Sequence, residues 1–161
     1  MSTKVQAIPE DMHTLTPHIV CADALKAIAY YKRAFGATDG GVMLTPDGKV
    51  MHAMIRIGDS AMMLMEENKE WGAIGPATLG GSPVTIHLYV KDVDAVFARA
   101  IAEGGTSKMA PTDMFWGDRY GVLTDPFGHS WSVATHVRDV SAEEMQAEAA
   151  KMGDCSGAGP Q

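Results

Sequence analysis

Apolar and polar positions alternate from Thr14 to Cys21, the period of a strand with one buried face. The period then changes. Leu25, Ile28, Tyr31 or Lys32, and Phe35 recur at helical spacing behind Asp23, a good N-cap, and Gly36 provides a stop. Three further strands are predicted at Gly41–Thr45, Val50–Ile57 and Ser60–Glu66, joined by turns at "PDG" (Pro46–Gly48) and "GDS" (Gly58–Ser60). The order is β-α-β-β-β. A Gly- and Pro-rich stretch, "WGAIGPATLGGSP", follows, and the order then repeats. Val84–Val90 reads as a strand. Asp92 caps a helix that buries Val93, Val96, Phe97, Ala100 and Ile101, and Gly104-Gly105 stops it. Strands near Ser107–Ala110, Arg119–Thr124 and Ser130–His136 complete the second unit.

The repetition extends to individual residues. Thr16, His18, Asp23 and Gly36 recur as Thr85, His87, Asp92 and Gly105, each 69 positions on (87 − 18 = 69). Between "GKVMHAMIRIGDSAMMLMEE" and "GDRYGVLTDPFGHSWSVATH" the offset is 69, rising to 70 at the inner turn, where Gly58 meets Gly128. Two copies of one unit predict an α+β fold of two βαβββ modules related by a pseudo-twofold axis. Each module is a curved sheet with a helix on one face, and the two open faces surround a shared cleft. The boundaries follow: an arm over 1–13, one domain over 14–136 with modules 14–67 and 84–136 and a linker 68–83, then a helix at Ser141–Met152 and a disordered tail within 137–161.

Composition narrows the function. The 161 residues are 46% hydrophobic and 20% charged, with a formal net charge of −7. A nucleic-acid partner is not expected, because phosphate binding needs a surplus of Lys and Arg on one surface. No apolar run approaches the ~18–20 residues that span a bilayer, so no membrane partner is expected, and the start lacks the apolar stretch of a signal peptide. A cytoplasmic protein is the expectation. Cys21 and Cys155 have no spacing that suggests a disulfide framework or a zinc knuckle.

The paired modules, "DPFGHSW" closing the last hairpin, and an Asp-capped helix ending in "YYKRAFGA" resemble the vicinal oxygen chelate superfamily of glyoxalase I, extradiol dioxygenases, and bleomycin and fosfomycin resistance proteins. "TPHIVCADALKAIAYYKRAFGA", "HLYVKDVDAVFARA" and "FWGDRYGVLTDPFGHSW" look most like its PhnB-like branch. The resemblance implies a homodimer. It also implies a divalent ion in metal-dependent members, held at positions that fall here on Thr16, Met62, Thr85 and Ser132. Those side chains are not a useful ligand set, so no metal cofactor is expected. The alternative is a displaced Zn²⁺, Mn²⁺ or Fe²⁺ site. His18, His87, Glu66 and His136 are each two or four residues along from those positions and would share their faces.

The expected ligand-binding residues are therefore His18, His52, Arg56, Glu66, His87, Trp116 and His136. His52 and Arg56 alternate with Ala53, Ile55 and Ile57, which should face the helix. Trp116 sits in "MFWGDRYG", a loop whose aromatics suit a stacking surface for a flat ligand. Asp118 and Arg119 read as a structural pair, Trp131 as core, and His129 as an exposed turn residue. The reading is a small-molecule binding protein without the metal site. A metal-dependent lyase, isomerase or dioxygenase is the alternative, and a metal-free enzyme with a histidine base is a third possibility.

Overall fold

A computed structural model describes residues 5–153. It contains two four-stranded sheets with the same strand order. In the first, β1 (His18–Cys21) lies parallel to β4 (Ser60–Glu66), which pairs antiparallel with β3 (Val50–Ile57), and β3 with the edge strand β2 (Thr38–Leu44). In the second, β5 (Thr85–Tyr89), β8 (Ser130–His136), β7 (Asp118–Thr124) and β6 (Thr106–Asp113) repeat the arrangement. Helix α1 (Ala24–Phe35) belongs to the first unit and α3 (Val93–Ala102) to the second. The stretch 68–83 is more ordered than a plain loop. Asn68 caps a 3₁₀ turn, Lys69–Trp71, and a short helix α2 (Pro76–Leu79) follows.

Local chemistry sets the helix ends. The Asp23 carboxylate accepts the Lys26 N–H, and that of Asp92 accepts the Ala95 N–H. Each cap is worth about 1 kcal/mol. Gly36 takes φ 71°, its N–H returns to the Lys32 carbonyl, and the next N–H, of Ala37, returns to that of Tyr31. The α1 face that is buried comprises Ala24, Ala27, Ile28, Tyr30, Tyr31, Ala34 and Phe35. Leu25, expected on that face, is 48% exposed, because the alanines and tyrosines set the stripe one position further round.

The register gives the duplication its physical form. His18 lies opposite Met63, and His87 opposite Ser132. Both residues of the pair therefore shift by 69 (87 − 18 and 132 − 63). On β3 and β7 the shift is 68: Ala53 pairs with Leu64, and Gly121 with Val133 (121 − 53 = 68; 133 − 64 = 69). The difference is one residue in the hairpin, since 57–60 separate the pair Arg56 and Ala61 while 125–129 separate Thr124 and Ser130. The predicted offset of 70 aligns the turn glycines but misplaces β4 by one residue.

The units meet in one aromatic core. The Trp131 ring lies 4.6 Å from that of Phe35 and 5.4 Å from that of Tyr31, on α1 of the other unit. The buried Asp125 carboxylate accepts the Tyr31 hydroxyl (2.6 Å), Trp131 Nε1 (2.9 Å) and the Phe127 and His129 N–H groups. Tyr30 donates to the Ala100 carbonyl, and Arg99 to the Ala34 carbonyl, tying α1 to α3. His129, expected to be exposed, is buried. The longer hairpin folds its ring inward, where Nε2 lies 3.1 Å from the Val20 carbonyl and 3.7 Å from Cys21 Sγ. Burial pushes the Cys21 thiol above its ordinary value, which makes it an inert packing group. Cys155 and most of the predicted disordered tail lie outside the described residues. Helix α4 (Ala142–Gly153) forms where a helix was expected. Among the described residues no helix is long and apolar enough to cross a membrane.

Candidate functional site

On the first sheet, Ile19, Cys21, Ala53, Ile55 and Leu64 are buried on the helix side. The open side carries His18, His52, Met54, Arg56, Met63 and Met65. The His18 and His52 rings meet edge to face at 5.9 Å. Partial burial, then the neighbouring His52, lowers the His18 pKa from its ordinary value. Arg56 holds the N-terminal arm: Nη2 donates to the Asp11 carbonyl at 2.6 Å, with the Asp11 carboxylate at 3.8 Å. A cavity of about 820 Å³ lies between this arm and Met54, Arg56 and Met63.

Glu66 does not belong to this face. Its side chain accepts the Ala24 N–H at 3.0 Å, at the start of α1. The reason is the register: Met62, Leu64 and Glu66 share the helix side, so Met63, not Met62, is the open-face neighbour of His18. A carboxylate at a helix N-terminus also complements the helix dipole, which accounts for Glu66 structurally.

The open side of the second sheet is built differently. His87, Tyr89, Asp118, Tyr120, Ser132, Ala134 and His136 come to it from three adjacent strands. Tyr89 and Tyr120 flank Ala134 from either side. The His87 and Tyr120 rings are nearly parallel (19°) with centroids 6.0 Å apart, and Tyr89 meets His87 at 4.5 Å. Trp116 extends the series at 5.6 Å from Tyr120. Ser132 and Ala134, small and buried, lie beneath these rings, and the Ser132 hydroxyl bonds His87 Nδ1 at 2.7 Å.

One step along the same face is a polar network. Asp118, 5% exposed, accepts the Tyr89 hydroxyl at 2.8 Å and pairs with His136 Nδ1 at 2.8 Å. His136 Nε2 lies 3.0 Å from Asp139. Burial pushes the Asp118 carboxyl up, but the bonds from His136 and Tyr89 prevail and hold it below its usual range. The bonds to Asp139 and then Asp118 raise the His136 pKa above its ordinary value. Sequence reasoning paired Asp118 with Arg119, but neighbours on a strand point to opposite faces. Arg119 lies on the helix side, bidentate to Asp94 (2.7 and 2.8 Å) and bonded to Asp113. Alternation applied to "DRY" would have found Asp118 and Tyr120.

His18 and His87 thus occupy equivalent positions without converging. The cavity beside His87, about 620 Å³, is lined by Met62, Phe35 and Trp131, whereas His18 lines a different one of about 270 Å³ with Ile74 and His129. Members of the superfamily often hold a divalent metal. Here, among the described residues, no group of three or more His, Cys, Asp or Glu side chains is placed to hold one. The open-face neighbours of His18 and His87 are Met63 and Ser132, and Glu66 is turned away. These residues do not fit the ion.

Comparison with known proteins agrees with this architecture. A sequence model of the Glyoxalase/Bleomycin resistance protein/Dioxygenase superfamily matches residues 12–133. An uncharacterized protein of Mycobacterium tuberculosis (strain ATCC 25618 / H37Rv) is 47% identical over 143 residues, covering 87% of this chain and 84% of the relative. An uncharacterized protein of Arabidopsis thaliana is 30% identical over 128 residues, 74% of this chain and 76% of the relative. Among solved structures, protein PA1353 from Pseudomonas aeruginosa superposes with a TM-score of 0.65 at 23% identity, covering 78% of this chain and 99% of that one. TioX from Micromonospora sp. ML1 does so at 0.61 and 22%, with the same coverage. At these identities the two structures speak to the fold alone.

Proposed function

Since the chain belongs to the Glyoxalase/Bleomycin resistance protein/Dioxygenase superfamily, we propose that it is a cytoplasmic small-molecule binding protein whose ligand stacks on the open face of the second sheet. The observation that carries this reading is the run of rings Trp116, Tyr120, His87 and Tyr89 over a floor of Ser132 and Ala134. Rings at the surface of a rigid sheet present a large, amphipathic area at little entropic cost. His18, His52 and Arg56 line the first sheet's open face and have a secondary part, because the arm bonded to Arg56 already occupies that side. A single fold hosts many chemistries, so the ligand class rests on these side chains and not on the family.

A homodimer completes the reading. Val42 (45% exposed), Met43, Leu44, Met51 and Tyr89 leave apolar surface on β2, β3 and β5, and surface of this kind is characteristic of association sites. Sedimentation at micromolar concentration should give a dimer, and a monomer would remove this part of the proposal. Calorimetric titration with flat neutral compounds such as 2-naphthol and quinoline tests the site. Trp116→Ala and Tyr120→Ala should each weaken binding about two- to tenfold, the value of a lost aromatic contact of ~0.5–1.5 kcal/mol. Equal affinity in wild type and both variants would refute the location.

A further inference from the structure

The network beside the aromatic face has no evident need to exist if the face only binds. A buried carboxylate is costly unless it is paired, yet Asp118 of β7 is placed where β5 and β8 each contribute a residue to bond it. Asp118 takes the Nδ1 side of His136, which directs Nε2 outward. Among the described residues Nε2 bonds Asp139, whose side chain is fully exposed just past the end of the strand. An acceptor of that kind is readily displaced by a ligand. The row holding Tyr120, Ala134 and Tyr89 precedes the row holding Asp118 and His136 by two residues, about 7 Å at strand rise. A compound of two fused rings stacked on Tyr120 is long enough to span that separation to the row of His136.

Building on the proposed binding face, we propose that it is a proton-transfer site for flat conjugated molecules, with His136 Nε2 as the acid–base atom and Asp118 as its positioning carboxylate. Asp118 fixes the ring's orientation and tautomer and stabilises the imidazolium when it forms. In the reaction a proton on a carbon of the substrate passes to Nε2. The electron pair of that C–H bond enters the conjugated system, and the proton returns to another atom of the same molecule. This is a tautomerisation without net oxidation, and it needs no co-reactant. Tyr89, bonded to the same carboxylate, holds Asp118 from the other side. The charged and titratable groups facing His136 are Asp118 from β7 and Asp139 from the segment after β8, with Tyr89 from β5 beyond Asp118.

The probe is 5-nitrobenzisoxazole, a flat compound whose ring opening begins with abstraction of its C3 proton. The proton goes to Nε2, the C–H pair forms the nitrile, and the N–O bond breaks to release a coloured phenolate. The full chain should open it faster than buffer, with a rate that rises with pH through a midpoint above 6.5. His136→Gln should lower the rate about a hundredfold, within the usual range for one general base. Asp118→Asn should lower both rate and midpoint, a change that a purely structural carboxylate would not produce, and circular dichroism would confirm that both variants are folded. Opening at the buffer rate, or at the wild-type rate in His136→Gln, overturns the proposal. Should either variant fail to fold, Asp139→Asn decides, since it must lower the wild-type midpoint, and an unmoved midpoint counts against His136. Calorimetric binding of the probe separates the failures: binding without opening refutes proton transfer alone, and no binding refutes the binding face as well.

Discussion

The two open faces are copies in backbone and opposites in chemistry. His18 and His87 stand at equivalent positions, 69 apart, on strands with the same pairing. Yet His18 lies beside His52 in a methionine-lined surface partly covered by the N-terminal arm, while His87 lies among Tyr89, Tyr120 and Ser132. The two faces also treat histidine charge in opposite ways. His18 loses its charge more readily than usual, through partial burial and a second imidazole, and His136 keeps it longer, through two carboxylates. A duplicated scaffold preserves where side chains point, and the residues at those points then diverge. The backbone symmetry is therefore evidence about fold and no evidence that both halves share one function.

The two units depend on each other most at their junction. Trp131→Ala removes the ring that Phe35 and Tyr31 pack on and one donor to buried Asp125. A loss of about 3–5 kcal/mol is expected in urea unfolding, the usual cost of deleting a buried large aromatic. A loss under ~1 kcal/mol would mean that the units do not share a core. A subtler asymmetry lies beneath the helices. Ala53 of the first sheet corresponds to Gly121 of the second, and a methyl group at Gly121 would meet Phe97 at 3.0 Å and the Met109 carbonyl at 3.2 Å. Gly121→Ala should cost about 1–3 kcal/mol by overpacking, whereas Ala53→Gly should cost roughly 1 kcal/mol, chiefly in strand propensity. Equal values would remove the asymmetry.

Arg56→Gln should change global stability by less than ~1 kcal/mol, as surface pairs do, but hydrogen exchange at residues 9–14 should quicken as the arm is released. Unchanged exchange would show that the arm is held by something other than Arg56. The smallest effects are the titrations. NMR should place the His18 midpoint below 6.5 and that of His136 above it. These shifts make stability depend on pH in opposite directions. The His136 contribution to stability is fully present below its ordinary value and is lost as pH rises through its raised value. The His18 contribution is present above its ordinary value and is lost as pH falls. Midpoints in the reverse order would contradict the contrast between the faces.

Much of the fold could be read from the chain because its signals were local. Asp23 and Asp92 caps, the alternation of His52 to Ile57, and the turns at Gly58 and Gly128 each act within a few residues. Three strands, β3, β4 and β8, span the predicted residues. The errors arose where one residue of register decides a face. Aligning Gly58 with Gly128 put Glu66 on the open side, and a single extra residue in the second hairpin reverses that assignment. The burial of His129 depends on the β1 edge, more than a hundred positions away, and no local signal reports it. The Asp118–His136 pair draws together positions 18 apart from two strands, and it becomes visible only when β7 and β8 are set in register.

The central claim is that function resides on the second sheet's open face. Backbone amide chemical shifts, followed while 2-naphthol is added to the full-length protein, test it most directly. Perturbations should concentrate at His87, Tyr89, Trp116, Tyr120 and His136. Perturbations confined to Met54, Arg56 and Met63, beneath the N-terminal arm, would contradict it and assign the site to the first sheet.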